Sequence, residues 1–513
     1  MKKILNKLFS RLFITMIIIL VQLGWITYTL YAASEINPIF SFGLRAVAVV
    51  FALYVVYKHT KTHNKLSWVF LILFLPIIGV PCYFLFGRSE MTKNVRARVA
   101  DVAALMSPLR AGNSLVEEQL QKDNAIAGRM SNYIKNSGSY PVYMEDSSKY
   151  YKVGEEMFPD LLDDLKSAKE FIFIEFFIME QGKMLDSIVD ILEEKVREGV
   201  QIRLIYDDMG CINKLPSRYY KILQSKGIHC ACFNPVWPGL SIIMNNRDHR
   251  KILVVDGKVA YTGGVNLADE YINEVERFGY WKDAAVRLTG DCVWTFTSMF
   301  LEMWSIITKG SEDFSKFKRV INKDEVLMDM NKGYVQPFGD CPLVPECIGE
   351  GTYLNLINNA QKYVYIFTPY LIIGEELTLA LINAAKAGVD VRIVTPAIPD
   401  KKMVFLVTQA NYEHLIRGGV KIYQYTPGFI HSKCFVVDDE YAVVGTINMD
   451  FRSLYLHFEC GVFMYKTACI VQVKEDAMET FSVSRQISLE ECENKNFFYQ
   501  LFLSVLRLFA PVL

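Results

Sequence analysis

Apolar and polar positions fall into two regimes along the chain. In residues 1–90 the apolar residues run nearly unbroken, in segments 12–31, 39–57 and 66–86. Each segment is close to the ~20 residues that a helix needs to cross a bilayer. The first carries no charge, the second contains Arg45, and the third is interrupted by Pro76, Gly79 and Pro81. The first is long for a signal peptide and two more follow it, so residues 1–90 read as a membrane anchor.

After residue 135 helical and strand-like stretches alternate, and the pattern occurs twice. An amphipathic stretch, 158–169, leads into the strand-like run 171–174. A second helical stretch, 185–198, then stops at Gly199 before the run 200–205. In the second half, 353–362 leads into 363–366, and 377–387 stops at Gly388 before 389–394. A glycine between a helical period and a β-branched run marks a helix stop and a strand start. The fold class that follows is α/β, with two related halves built on central sheets. The predicted organisation is an anchor over 1–90, a linker over 91–135 and one repeat over 136–308. A polar connector over 309–350, a second repeat over 351–490 and an apolar helix over 491–513 complete it. Arg507 is the only charge in 497–513, which suits either a buried cap or a helix lying on a membrane surface.

Charge refines the membrane reading. Lys2, Lys3, Lys7 and Arg11 place the N-terminus in the cytoplasm, and Lys58, Lys61 and Lys65 make the connector after the second segment basic. Two spans with both ends inside satisfy this pattern. A third full span puts the rest of the chain outside, whereas Arg88, Lys93, Arg96 and Arg98 favour the inside. The Pro–Gly–Pro interruption permits a re-entrant hairpin instead. A cell-membrane, multi-pass protein is expected.

Composition excludes whole classes. With 51% hydrophobic and 22% charged residues, the 513-residue chain has ample material for packed cores and is no disordered polyelectrolyte. Its formal charge of −1 hides a split. Residues 1–90 hold nine Lys/Arg against two acidic residues, and the remainder holds 46 against 54. An acidic body is a poor partner for a polyanion, so no nucleic-acid partner is expected. The eleven cysteines are scattered without a CxxC pair, and they read as reduced packing residues rather than metal ligands.

The chemistry is carried by two lines, NNRDHRKILVVDGKVAYTGGVN and PGFIHSKCFVVDDEYAVVGTIN. His249, Lys251, Asp256, Gly263 and Asn266 recur at the same spacing as His431, Lys433, Asp438, Gly445 and Asn448. At ordinary residue usage, four further matches after a given histidine arise by chance on the order of 10⁻⁵ of the time. Only seven histidines are present and two head this pattern, so the repeat is functional. Residues i and i+2 on a strand share a face, so each His–Lys pair addresses one cleft. Glycines permit close approach, and an Asn just beyond can donate to an anionic oxygen. Two imidazoles, two ammonium groups and the amides of Asn266 and Asn448 describe a phosphate site. Asp256 and Asp438 follow the buried runs 252–255 and 434–437, a place better suited to bracing the site than to chemistry. His59, His63, His229, His414 and His457 lack such a constellation.

HxKxxxxD followed by GGxN or GTxN, present twice, resembles the signature of the phospholipase D superfamily, and most closely that of bacterial cardiolipin synthases. NNRDHRK at 245–251, GGVNLADEY at 263–271, WKD at 281–283 and GTINMDFRS at 445–453 strengthen the resemblance, as does the W…P..G…FGR pattern over 68–88. It covers nearly the whole chain. Thr446 stands where the broader superfamily often has Ser and keeps the hydroxyl.

The resemblance implies two pseudo-symmetric α/β domains sharing one active site behind N-terminal transmembrane helices. It implies phosphatidyl transfer between two phosphatidylglycerol molecules through a phosphatidyl-histidine, giving cardiolipin and glycerol. His249 is the implied nucleophile, and His431 the acid and then the base. Lys251, Lys433, Asn266 and Asn448 hold the phosphoryl oxygens, with no metal and no other cofactor. Asp283 and Glu459 are implied to bond the outward ring nitrogen of a histidine, Glu459 serving His431, 28 residues before it. Membrane lipids are the expected partners, and both halves of the site lie in one chain, so catalysis requires no second copy. There is no GxxxxGK[ST] loop for nucleotide hydrolysis and no DGxxAR-type run for CDP-activated lipids. A hydrolase, or a transferase with another alcohol acceptor, would use the same residues. A nuclease conflicts with the acidic body and the anchor, and a scaffold with a dead site conflicts with two intact motifs.

Overall fold

A computed structural model describes residues 11–36, 38–58, 62–87, 93–236, 245–310, 312–319, 332–344, 346–494, 496–508 and 510. Lys2, Lys3, Lys7, Lys61 and Arg88, on which part of the membrane reading and its motif rests, lie outside these residues, as do His59 and parts of the connector and of the last segment. The chain divides into two compact units. One draws on Met1–Thr92, Asn234–Asn246 and Asn496–Leu513, the other on Lys93–Phe233 and Arg247–Lys495.

In the larger unit each repeat builds a mixed sheet. Among the described residues the first has seven strands, with Phe171–Phe176 running parallel to Gln201–Asp207 and antiparallel to Lys251–Val255. In the second sheet Tyr363–Phe367 stands likewise between Asp390–Pro396, parallel, and Cys434–Val437, antiparallel. Both central strands are buried along their whole length, as their unbroken apolar runs require. The helices Lys183–Arg197 and Glu375–Lys386 end in the same way. Gly199 and Gly388 take φ of 89° and 97°, and the next residue's N–H donates back to Lys195 and Ala384 respectively. The left-handed conformation, rather than crowding, requires glycine there, since a Cβ would meet nothing within 4 Å.

Two stretches differ from their sequence reading. Described residues of the 91–135 linker are mostly helical, in Lys93–Met106, Ser114–Asp123 and the start of Ala125–Gly138. Val102, Met106, Leu120, Ala127 and Ile134 are buried in these helices. Asn113 and Asn124 cap the second and third by accepting from Leu115, and from Ile126 and Ala127. The 309–350 connector contains Tyr334–Asp340, a fully buried strand paired antiparallel with His457–Tyr465. Its Pro337 and Gly339 read as breakers, but the strand is held between two partners, the other being Tyr143–Met144.

The repeats are joined by two short parallel pairings. Arg247–Asp248 lies beside the start of His457–Tyr465, and Gly428–Ile430 lies beside Tyr280–Lys282. Each pairing places the approach to one motif histidine against a strand of the opposite repeat.

In the smaller unit, among the described residues, Pro38–Tyr57 is the one helix long and apolar enough to cross a membrane. Ile39, Phe42, Val50, Leu53 and Tyr57 are exposed on it, while Ala48, Ala52 and Val55 pack with Trp68, Ile72 and Tyr83. Arg11–Ile36 precedes it. The third apolar segment breaks at Leu75 into Thr62–Phe74 and Pro76–Cys82, followed by a π-helical turn at Tyr83–Gly87. Gly79 lies against the backbone of Leu71 and Ile72, where a Cβ would come within 2.5 Å of the Leu71 carbonyl oxygen. A helix of 13 residues rises only about 20 Å, short of a hydrocarbon core of about 30 Å. Phe497–Leu508 buries Leu503 and Leu506 and accepts a bond from Ser67 through the Leu508 carbonyl, yet leaves Phe498, Leu501, Phe502 and Val505 exposed. It therefore combines features of both sequence readings.

Candidate active site

Each motif histidine is fixed by the backbone of the other repeat. The His249 N–H donates to the Phe458 carbonyl at 2.9 Å, and the His431 N–H donates to the Lys282 carbonyl at 2.7 Å. Each lysine stands at the start of a core strand and turns its Nζ back to the carbonyl of its own histidine, at 2.5 Å for Lys251. All four side chains are buried.

The carboxylates cross between repeats. Nδ1 of His249 lies 2.9 Å from both Glu459 oxygens, and Nδ1 of His431 lies 2.6 Å from Asp283 Oδ2. Glu459 therefore serves His249 and not His431, correcting the sequence expectation. The pairing follows from the short parallel strands, which place each histidine beside the carboxylate strand of the other half. With Nδ1 donating to a carboxylate, each Nε2 is left to face a substrate.

Glycines make room for these contacts. A Cβ on Gly264 would fall 1.9 Å from Asp283 Oδ1, and one on Gly445 would fall 2.4 Å from the Cys460 carbonyl oxygen. The second copy has Thr446 in place of Gly264, and its hydroxyl donates to Glu459, as does that of Ser453.

Burial sets the electrostatics. It pushes Lys251 down to about 8 and Lys433 down to about 7, against the pull of Glu459 and Asp283. Burial, then Lys251, His457, Lys433 and His431, holds His249 well below the usual imidazole range. Burial and Lys433 bring His431 down to about 4, although Asp283 raises it. Glu459 is pushed up to about 8 by burial, against Lys251, Ser453 and Thr446.

Three of the residues grouped with the site do something else. Asp256 and Asp438 bond backbone rather than either motif histidine, the bracing that their positions after the buried runs suggest. Each turns off the far end of its motif strand with positive φ. Each accepts three backbone N–H bonds, from Lys169, Glu170 and Phe171 and from Gln361, Lys362 and Tyr363 respectively. They brace the start of the central strand. Asn266, expected to hold phosphate, accepts from the Ile178 N–H and donates to the Tyr271 hydroxyl. Asn448 differs: its Oδ1 is buried and meets no hydrogen-bond partner among the described residues.

His457 was passed over in the sequence for want of a matching motif, yet its ring lies 5.8 Å from that of His249, and its Nδ1 lies 4.0 Å from Glu459. Its position two residues before Glu459 on one strand was the available signal. His249, His457 and Glu459 bring ligand atoms within 4.8 Å of one another, a donor set that suits a metal ion by composition.

Known proteins resemble this chain along most of its length. Residues 161–281 and 353–481 match the family described as "Cardiolipin synthase, PLD-like domain", and residues 47–88 match "Phospholipase_D-nuclease N-terminal". A cardiolipin synthase of Alkalihalophilus pseudofirmus is 31% identical over 94% of this chain and 97% of its own length. One from Staphylococcus aureus is 30% identical over 93% and 97%. An uncharacterised protein of Streptococcus mutans is 41% identical over 90% and 99%. Among solved structures, a phosphatidylserine synthase from Haemophilus influenzae superposes with a TM-score of 0.57 at 14% identity, covering 75% of this chain and all of that one, a likeness of fold. With two matched domains, crossed histidine–carboxylate pairs and curated relatives along nearly its whole length, the chain belongs to the cardiolipin synthase family of the phospholipase D superfamily.

Proposed function

We propose that this chain transfers a phosphatidyl group between two phosphatidylglycerol molecules, giving cardiolipin and glycerol. The observation that supports it is the pair of buried histidines, each backed by a carboxylate of the opposite repeat and flanked by a buried lysine. One imidazole attacks phosphorus through Nε2. The P–N bond forms as the P–O bond to glycerol breaks, and the departing oxygen takes a proton from the other imidazolium. The glycerol hydroxyl of a second lipid then returns that proton as its oxygen displaces the histidine. Protons balance, and one phosphodiester replaces another, so no nucleotide is consumed. Lys251 and Lys433 neutralise the phosphoryl oxygens, with Asn448 the freer of the two amides to assist. In this reading Pro38–Tyr57 spans the membrane and keeps the chain at its lipid substrate.

The test is a product assay on detergent-purified protein given labelled phosphatidylglycerol alone. Cardiolipin and glycerol in equal amounts are expected. Phosphatidic acid with glycerol would instead make water the acceptor and overturn the transferase reading.

A further inference from the structure

The third apolar segment returns to the level at which it enters. Lys65 Nζ donates to the Val56 carbonyl at 2.9 Å, tying the start of Thr62–Phe74 to the Tyr57 end of the preceding helix. From there it runs back along that helix, with Trp68 and Ile72 in one cluster with Ala48, Ala52 and Val55. The chain turns at Leu75, whose N–H donates to the Leu71 carbonyl and whose own carbonyl accepts from Ile78 and Gly79. Gly79 then lies against the backbone of Leu71 and Ile72, and the Tyr83 and Trp68 ring centroids are 5.3 Å apart. A Cβ on Gly87 would fall 2.9 Å from the Trp68 ring, so the segment ends beside the residue near which it began. The C-terminal helix joins the same end. The Ser67 hydroxyl donates to the Leu508 carbonyl, and Leu503 and Leu506 are buried. Phe498, Leu501, Phe502 and Val505 form an exposed stripe on Phe497–Leu508, as do Leu66, Phe70 and Leu73 on Thr62–Phe74.

We propose that residues 62–87 and Phe497–Leu508 form an apolar wedge that enters one leaflet of the bilayer and leaves it on the side it entered. The connector 58–65, the chain after Gly87 and the C-terminus then share one side of the membrane. The proposal rests on Pro38–Tyr57 spanning the bilayer, as read above. Neither short helix can cross by itself, since the 12 residues of Phe497–Leu508 rise only about 18 Å. A turn at membrane depth persists only where its backbone groups are bonded, and both those of Leu75 are. The partner the stripes fit is lipid. Thr62–Phe74 packs on the spanning helix, whose own Val50, Leu53 and Tyr57 are exposed, so hydrocarbon that covers one continues onto the other. Phe497–Leu508, with Arg507 as its single charge and one apolar stripe turned outward, is suited to lie in the plane of the interface. Lys58, Lys61 and Lys65 make the shared side the cytoplasmic one. Both HxKxxxxD motifs follow Gly87 in the chain, so the cytoplasmic leaflet supplies the lipid substrate.

The test uses the full chain in two ways. In spheroplasts of a bacterial host, an epitope is inserted after Thr60 or appended after Leu513 and probed with antibody before and after permeabilisation. Both epitopes should stay hidden until the membrane is opened. Exposure of one alone would mean that the third segment crosses the bilayer, and exposure of both would reverse the side; either result overturns the proposal. The second measurement needs no insertion. Untagged protein in phosphatidylcholine vesicles is irradiated with a phosphatidylcholine that carries a diazirine in its acyl chain, and the adducts are mapped by mass. Adducts are expected on Pro38–Tyr57, on Leu66 and Phe70, and on Leu501, Phe502 and Val505. A labelled Pro38–Tyr57 beside an unlabelled C-terminal helix would overturn the wedge, as a protein partner or a buried cap would then cover that stripe. An unlabelled Pro38–Tyr57 would instead remove the span on which the wedge depends. Neither readout requires cardiolipin to form, so the transfer reading is tested separately.

Discussion

Glu459 holds the Nδ1 of His249 at 2.9 Å from both its oxygens, across 210 residues of chain and from the opposite repeat. Asp283 returns the arrangement to His431 across 148 residues. Neither repeat contains a complete histidine–carboxylate pair, so the chemistry exists only once the two halves have docked.

Glu459→Gln and Asp283→Asn preserve shape but remove the charge that orients each ring. Each should lower kcat by about a hundredfold or more while leaving the melting temperature little changed. His249→Ala and His431→Ala should abolish turnover. Steady-state assays on purified variants check this, and full activity in either His variant would rule out the two-histidine mechanism.

Asp256 and Asp438 should behave as stability residues. Removing either carboxylate by Asp→Asn leaves up to three strand-start N–H groups with a poorer acceptor. A loss of about 1–3 kcal/mol is expected, read as a lower unfolding midpoint. Activity per folded molecule should persist, which distinguishes a brace from a reacting group.

The two asparagines should separate in the same way. Asn266→Ala removes the acceptor for the buried Ile178 N–H and the donor to Tyr271, so thermal stability should fall by about 1–2 kcal/mol. Asn448→Ala removes a side-chain oxygen with no partner among the described residues, so stability should hold while kcat/KM drops. Melting curves beside kinetics on both variants decide it.

The lysines predict an alkaline limb. Lys433 near 7 and Lys251 near 8 lose their protons as pH rises, and with them the charge that meets the phosphoryl oxygens. Loss of the lysine charge should therefore lower kcat/KM of the free enzyme as pH rises through this window. An anionic substrate holds those protons more tightly, so the limb in kcat should lie higher. Lys433→Arg, with a guanidinium that stays charged, should move the limb upward if geometry is retained.

Chelation tests the trio of His249, His457 and Glu459. With Lys251 and Lys433 supplying the positive charge, a chelator should leave turnover unchanged. Strong loss restored by added zinc would assign a resident metal to that trio.

The duplicated motif, the glycine helix stops and the alternation of helices with strands were legible because they are set by near neighbours. A left-handed φ at Gly199 and Gly388, a two-residue strand period at His249–Lys251 and a continuous apolar run at 252–255 each leave a local imprint. The α/β class and the repeat follow from these, and the duplicated HxKxxxxD motif adds the candidate histidines and lysines and, by resemblance, the family. The helices within 91–135 and the strand Tyr334–Asp340 were hidden, because Asn caps and Pro337 look like loop chemistry until a partner surface is present.

Which carboxylate serves which histidine was not in the sequence at all. A pseudo-symmetric pair admits a direct and a crossed solution with identical spacing, and only the parallel pairings of Arg247 with His457 and of Phe429 with Trp281 select the crossed one. The first of these pairings also brings His457 beside His249, whereas Asn266, Asp256 and Asp438 make their bonds within their own repeats. Near-neighbour geometry fixed what each half is. The docking of strands more than a hundred residues apart decided what the halves do together.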